Sequence, residues 1–279
     1  MKKSTIVSTL LLSTFILGTA PTAAFAEEVA ASETNATVKF EAESTEADGG
    51  GATLDPTNPE GEGIKPDPGE GSESTKGPLR IDFAPNFKFG SVTMSGNAAD
   101  YNPLYPKVGL LDKEGQLSDP LQEKYVPHYV QVTDNRGTNE GWELAVSATP
   151  FKGTVNPDAD LKATLTLSNA QFSTAVKPVD GKDFVPAMLN TNVTLSSEPE
   201  VLIKANADQG MGSWAAMFSE TPSEELTVTD RNPNVTLHVP ADSKKTLMKN
   251  TSLLLLGHFL LHRHQQTKSL VFPIIRTGT

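Results

Sequence analysis

The sequence predicts an all-β domain of the sandwich type over residues 79–247. Apolar and polar residues alternate there in short runs, which is the two-residue period of a half-buried strand. Each run is bounded by Gly, Pro, Asp, Asn or Ser, the residues that favour turns. No stretch sustains the 3.6-residue period of an amphipathic helix. Many short strands separated by turns are typical of β-sandwiches and barrels.

The alternation places the individual strands. Residues 161–167 alternate over their whole length and form the clearest strand, and residues 142–147 put Trp142, Leu144 and Val146 on one face. The remaining predicted strands are 79–83, 87–90, 129–132, 192–195, 201–203, 225–228 and 234–239. An immunoglobulin-like sandwich is the arrangement that we expect from them.

The N-terminus has the parts of a secretory signal peptide. Lys2 and Lys3 are followed by an apolar run at 10–17 and by the small-residue cleavage site Ala-Phe-Ala at 24–26. The apolar run is far shorter than the ~20 residues that cross a bilayer, which disfavours a retained membrane anchor. We therefore expect cleavage after residue 26 and export of the rest.

Residues 27–78 are predicted to be a disordered acidic spacer. They are rich in Gly, Pro, Glu, Ser and Thr, and hold 13 Asp and Glu residues against 3 Lys. Such a segment buries too little apolar surface to offset its ordering entropy, and its like charges repel one another. Residues 36–40 alternate well enough to form one edge strand.

The distribution of charge argues against nucleic-acid binding. The chain carries −11, the signal peptide +2 and the acidic segment −10, so the remaining residues carry only −3. No basic surface of the kind that binds phosphate backbones is predicted. The chain also lacks cysteine, which excludes disulfides and thiolate metal sites.

Three motifs follow one another along the predicted sandwich. They are an Asp-x-Arg-Gly-Thr turn, a Gly-Trp-x-Leu strand and a Gly-x-Gly-x-Trp element, formed by Asp134, Arg136, Gly141, Trp142, Leu144, Gly210, Gly212 and Trp214. A Val-x-Leu-x-Val-Pro strand follows at 235–240. In these motifs and their order, residues 79–247 resemble the WxL domains of Gram-positive surface proteins, which hold non-covalently to the cell wall.

The resemblance implies a protein anchored to peptidoglycan at the cell surface. It also implies complexes with other WxL proteins and with membrane-anchored surface proteins that recognise the domain. The motif residues above are then the candidate wall-binding site. An adhesin-like module that binds a host protein, for example by adding a strand at a sheet edge, is the alternative.

The motif side chains allow two interpretations. Trp142 and Leu144 on one strand face are most simply a core pair, because aromatic side chains bury large areas. A solvent-facing Trp142 that stacks on sugar rings is the second interpretation. Asp134 and Arg136 can likewise serve only to close a turn. The Gly210–Trp214 element lacks the Lys and the helix of a phosphate-binding loop.

The C-terminal residues 248–279 depart from the WxL pattern. A second Trp-x-Leu is expected there, but the chain has four consecutive leucines at 253–256 and no alternation. Synonymous codons for residues 255–267 exist that, regrouped by one nucleotide, read Thr-Trp-Thr-Leu-Ser-Ala-Thr-Pro-Ala-Ser-Thr-Asn and then a stop codon. We interpret the tail as the product of a reading-frame slip, and expect it not to replace the missing strand.

The sequence holds no recognisable catalytic or metal centre. There is no Gly-x-Ser-x-Gly elbow, no His-Glu-x-x-His and no cysteine nucleophile. His258, His262 and His264 have a spacing compatible with zinc, but in a frame-shifted tail they were never selected as ligands. We therefore expect a binding protein without cofactor or metal and not an enzyme.

Overall fold

The computed structural model describes residues 38–48, 51–72, 74–93, 95–151, 161–177, 184–219, 225–245 and 257–263. In the last range, Leu261 is the one residue whose side chain is described. The predicted signal peptide, at 1–26, lies outside these ranges. The chain divides after Lys39, and the fold below concerns Phe40 onward.

Every regular element in the described residues is a strand, as predicted. The strands are β1 (Ile64–Pro66), β2 (Leu79–Phe83), β3 (Ala99–Tyr101), β4 (Lys107–Leu110), β5 (Glu123–Tyr125), β6 (Tyr129–Asp134), β7 (Trp142–Ala148), β8 (Thr164–Leu167), β9 (Ala170–Ser173), β10 (Ala187–Met188), β11 (Val193–Thr194), β12 (Glu200–Ala205), β13 (Gly212–Phe218), β14 (Val235–Val239) and β15 (Gly257–Arg263).

The strands form four antiparallel sheets. Sheet A has the order β2-β6-β13-β9, sheet B β10-β12-β7-β15, sheet C β11-β8-β14-β3 and sheet D β1-β4-β5. One face of sheet A packs with sheets B and C around a main core that contains Val132, Trp142 and Leu165. The other face packs with sheet D around a second core that contains Ile64, Tyr129 and Met217. The predicted β-sandwich is confirmed, and sheet D adds a further layer to it.

Two predicted strands are wrong for local reasons. In residues 87–90, Lys88 forms only an isolated bridge with Leu104, and Gly90 has a positive φ of 72° that ends any extension. In residues 225–228, the Asp230 carboxylate accepts hydrogen bonds from the Thr227 amide and hydroxyl. Such side-chain-to-backbone bonds favour a turn over a strand.

The predicted disordered spacer is also wrong over most of its described length. Residues 64–66 form β1, whose Ile64 is fully buried, and Thr53, Asp55 and Thr75 are buried as well. The Thr53 hydroxyl lies 2.6 Å from the Tyr129 hydroxyl, and the Leu54 amide donates to Gln131 Oε1 at 2.8 Å. The predicted edge strand at 36–40 is absent from its described part, residues 38–40, where Phe40 is 88% exposed.

Polar contacts explain how so few apolar residues fix this segment. Arg80, which is buried, donates to Glu43 Oε2 at 2.7 Å and to Asp82 Oδ1 at 2.6 Å. Lys124 bonds to the buried Asp55 carboxylate. Acidic side chains that would repel one another in a free chain are thus paired with cations of the domain, and composition alone does not register such pairing. We call residues 43–78 the N-terminal layer.

The tail also differs from its prediction. Residues 257–263 form β15, which pairs with β7 from Gly257 opposite Ala148 to Arg263 opposite Trp142. Leu261, opposite Leu144, is buried in the main core. The expectation that the tail does not replace the missing strand is therefore wrong for residues 257–263, because main-chain hydrogen bonds can form a strand without an alternating side-chain pattern.

Candidate functional site

The Asp134–Arg136 turn closes the end of β6. Arg136 Nε and Nη2 donate to the two carboxylate oxygens of Asp134 at 2.9 and 2.8 Å, a two-pronged ion pair. Arg136 Nη2 also donates to the Gly141 carbonyl at 2.8 Å. Both side chains are buried. The pair therefore ties the end of β6 to the residue that precedes β7, and it confirms the turn-closing interpretation.

Trp142, the first residue of β7, is fully buried. Its indole Nε1 donates to the Gly210 carbonyl at 3.0 Å. Gly210 has a φ of +77°, and a Cβ at this position would lie 2.6 Å from Trp142 Nε1. Glycine is thus required both by the backbone conformation and by the indole that packs against it. The two motifs, 68 residues apart, form one contact.

Gly141 and its surroundings fix the start of β7 on β12. The residue has a φ of +76°, and a Cβ there would lie 2.3 Å from the Ala205 carbonyl oxygen. Ala205 pairs with Trp142 across the strands. Only a residue without a side chain allows β12 to approach this closely.

Trp214 is buried at the end of sheet A where β6 ends at Asp134. Its side chain is 1% exposed, its Nε1 donates to the Met211 carbonyl at 3.0 Å, and its ring meets Phe172 edge-on at a centroid distance of 5.7 Å. Gly212, two residues earlier, pairs with Asp134 and has a φ of +87°. Both tryptophans belong to the main core, Trp142 from sheet B and Trp214 from sheet A.

The structure thus brings the predicted site residues together in one place, with Leu144 in the core behind them. We call this set the motif cluster; its members are Asp134, Arg136, Gly141, Trp142, Leu144, Gly210, Gly212 and Trp214. All except the glycines present buried side chains. The motif cluster therefore joins sheets A and B through buried contacts. At Trp142 it offers no exposed aromatic face on which a sugar ring could stack. The stacking interpretation of that residue is wrong.

Two loops emerge from the motif cluster, and sequence reasoning did not identify them as a unit. The paired loops are residues 135–141 and residues 206–212, the last of which is also the first residue of β13. A hydrogen bond from the Asp208 amide to the Asn139 carbonyl, at 2.9 Å, joins them. Every second residue is left-handed in part of each loop, at Gly137, Asn139 and Gly141 and at Asp208, Gly210 and Gly212. The glycines at 137, 141, 210 and 212 were the visible signal for this geometry.

The exposed surface at this end is formed by the paired loops. Residues 137–140 and 206–208 are exposed, as is Met211 at 53%. Nearby, Glu43 accepts hydrogen bonds from Arg80 and Asn135, and these bonds lower the pKa of its carboxyl. The paired loops are therefore solvent-facing segments held on a buried, hydrogen-bonded base.

A comparison with protein families decides the identity of this arrangement. The family described as "WxL domain surface cell wall-binding" matches residues 27–254. The chain belongs to the WxL domain family. It is accordingly a surface protein with a cell wall-binding domain, as the sequence resemblance implied. No curated protein and no solved structure matches the chain.

The span of this match agrees with the position of the N-terminal layer. A WxL domain that begins near residue 27 includes residues 43–78, which the sequence prediction had placed outside the domain. At its other end the match stops at residue 254, just before β15. The WxL domain of this chain therefore contains all four sheets except the C-terminal strand.

Among the described residues, no group of three or more His, Cys, Asp or Glu side chains is placed to hold a metal ion. The side chains of His258, His262 and His264 lie outside the described part of the chain. No helix in the described ranges is long and apolar enough to cross a membrane.

Proposed function

We propose that this WxL domain anchors the protein to peptidoglycan through the paired loops, in complexes with other surface proteins. The proposal rests on the difference in exposure between the motif cluster and the paired loops. The motif side chains are buried and hydrogen-bonded, whereas residues 137–140 and 206–208 of the loops that they fix are exposed. The wall-binding contact then belongs to the loops, and the motif residues position them.

Polar side chains and main-chain groups of the paired loops suit a glycopeptide polymer. Asn139, Asp208 and Gln209 can exchange hydrogen bonds with hydroxyl, acetamido and peptide groups. A fixed backbone lowers the entropy that each contact costs. Single contacts to a repeating polymer are weak, but several domains on one surface, including those of partner surface proteins, bind together more tightly than any one of them.

We further propose that the domain binds without catalysing a reaction. The ionisable motif residues Asp134 and Arg136 support this proposal, because they bind each other in a buried ion pair. A general acid or base needs access to its substrate, which these two groups lack. The adhesin-like alternative makes a different prediction, because it requires a host protein and not the wall polymer.

Binding to purified peptidoglycan tests the proposal. Asn139→Gly with Asp208→Gly removes two loop side chains but keeps residues that accept the left-handed backbone. We expect at least a tenfold weaker association with protein-free sacculi and an unchanged melting temperature. The matched control is Lys113→Ala with Glu114→Ala, two exposed residues between β4 and β5. Equal sedimentation of both variants with the sacculi would refute the loop site, and binding only to immobilised matrix proteins would favour the adhesin.

A further inference from the structure

The first of the paired loops is attached to the N-terminal layer through Asn135. This residue directly follows Asp134, the last residue of β6. Its amide donates to the Pro78 carbonyl at 2.6 Å, and its carbonyl accepts from the Glu43 amide at 3.2 Å. Its side-chain Nδ2 donates to Glu43 Oε2 at 2.8 Å. The backbone amide, the backbone carbonyl and the side-chain amide of Asn135 therefore all bond to residues of the N-terminal layer.

The Glu43 carboxylate is itself fixed to sheet A. Its Oε2 accepts from Arg80 Nη1 at 2.7 Å as well as from Asn135. Arg80 is buried, belongs to β2 and lies opposite Thr133 of β6. A hydrogen bond between a guanidinium and a carboxylate is stronger than one between neutral groups. One carboxylate oxygen thus connects β2, the N-terminal layer and the start of the first loop.

The exposed part of this loop lies just beyond Asn135. Arg136 holds the loop to the motif cluster. Residues 137–140 are exposed, and among them Asn139 accepts a hydrogen bond from the Asp208 amide of the second loop at 2.9 Å. The position of Asn135 therefore determines where the chain enters the exposed segment, and with it whether the bond between the two loops can form.

We propose that Glu43 is a positioning residue for the paired loops, through which the N-terminal layer sets the strength of wall binding. Glu43 acts through Asn135, on the free protein as well as on the bound one. The effect on wall binding rests on the proposed function, in which the paired loops contact peptidoglycan. Residues 43–78 are then part of the binding apparatus and not a spacer that separates it from the rest of the protein.

Amide hydrogen exchange of the full secreted chain, without any cell wall, tests the positioning role. Asp208 is exposed, so its amide is protected by the bond to Asn139. For Glu43→Ala we expect this amide to exchange about tenfold faster, the effect of losing one hydrogen bond to a charged group, while the amides of β6 keep their protection. Asn135→Asp replaces the donating amide by a carboxylate and leaves the Arg80 bond to Glu43 intact. It should speed the exchange in the same way.

Two further variants separate positioning from a general loss of stability. Glu43→Gln keeps a side-chain oxygen that can accept from Asn135, and it should restore most of the protection of the Asp208 amide. The matched control is Glu70→Ala, which removes another glutamate of the N-terminal layer. Its carboxylate pairs at 2.7 Å with Lys88, which belongs to neither loop. This control should leave the exchange of the Asp208 amide unchanged.

Sedimentation with protein-free sacculi tests the consequence for binding. We expect Glu43→Ala to bind several-fold more weakly than Glu70→Ala. Unchanged exchange at Asp208 in both Glu43→Ala and Asn135→Asp would overturn the positioning role, even if binding fell. Faster exchange with sedimentation equal to that of the native chain would overturn the effect on wall binding. Failure of the proposed function is seen separately, as undiminished binding of the chain with Asn139→Gly and Asp208→Gly.

Discussion

The two faces of sheet A differ in chemistry but not in burial. On one face, Val130 and Val132 of β6 enter the main core with Trp142. On the other face, Gln131 and Thr133 lie under the N-terminal layer, and both are buried too. The alternating sequence of β6 is that of a strand with one wet face, yet all six of its residues are buried.

Hydrogen bonds explain why polar side chains can be buried on the second face. Asp82 Oδ2 accepts from Gln131 Nε2 at 3.0 Å and from Thr133 Oγ1 at 2.5 Å, while Arg80 satisfies its other oxygen. Burial of polar groups is tolerated when each finds a partner. The comparison teaches that polar alternation reports the chemistry of a face and does not by itself report its exposure.

The largest expected effect concerns the apolar face. Replacing Trp142 by Ala removes a fully buried indole and its bond to the Gly210 carbonyl. We expect a loss of about 3–5 kcal/mol in the free energy of unfolding, measured by urea denaturation. Phe at position 142 should lose less, because it retains most of the packing. An unchanged unfolding midpoint for the Ala variant would contradict a scaffolding role for this residue.

Gly141→Ala tests whether the close approach of β12 requires a glycine at position 141. Its φ of +76° strains any L side chain, and the new Cβ would also lie 2.3 Å from the Ala205 carbonyl oxygen. The control is Gly115→Ala, with a similar φ of +74° but nothing within 4 Å of the new Cβ. We expect a loss of about 1 kcal/mol at Gly115 from backbone strain and about 2–3 kcal/mol more at Gly141 from the clash. Equal losses at both sites would mean that β12 moves away freely.

His128 extends the comparison to a buried imidazole in which only one ring nitrogen has a hydrogen-bond partner in the described part of the chain. Its side chain is fully buried, Nδ1 lies 3.2 Å from Asn232 Nδ2, and Nε2 has no hydrogen-bond partner among the residues that the structure describes. Desolvation lowers the pKa of His128 from 6.5 to about 3. The folded state therefore binds fewer protons than the unfolded state between these values, and stability falls as the pH falls from about 6.5 toward 3.

The lowered pKa of His128 should cause a measurable change in the free energy of unfolding. At pH 5 the stability lost through His128 should be about 2 kcal/mol relative to pH 7.5, since each pKa unit corresponds to about 1.4 kcal/mol. Urea denaturation of the native chain and of His128→Gln at both pH values isolates this contribution. The Gln variant should lose about 2 kcal/mol less between the two conditions. An identical pH dependence in both chains would show that His128 does not titrate as described.

The sequence predicted what depends on alternation and on short motifs. Strands β2, β6, β7 and β14, the sandwich and the family follow from such local signals, and so does the core position of Trp142. Strand β13 beyond Trp214, which reads Ala-Ala-Met-Phe, was missed because a continuous apolar run lacks a period. Strand β9 was missed because its four residues are too few for their alternation to stand out. The paired loops were missed because the bond from Asp208 to Asn139 joins residues far apart in sequence.

The structure at the two ends of the domain could not be predicted from local sequence, because the contacts there join distant residues. Glu43 and Arg80 lie 37 residues apart, and Leu54 and Gln131 lie 77 apart. Composition near residues 43–54 cannot show that these partners exist. The same holds for β15, whose register is set by the main chain of β7. The nucleotide sequence around codon 247 is the test of the reading-frame interpretation of the tail.

The most direct test of the account is amide hydrogen exchange over the N-terminal layer. The Thr53 and Ile64 amides bond to each other's carbonyls at 2.9 Å, and the Ile81 amide donates to Thr75 Oγ1 at 2.9 Å. If residues 51–72 are a layer of the domain, their bonded amides exchange orders of magnitude more slowly than an unfolded chain and lose protection together with those of β6. Exchange of residues 51–72 at unfolded-chain rates, with β6 still protected, would contradict the account and restore the disordered spacer.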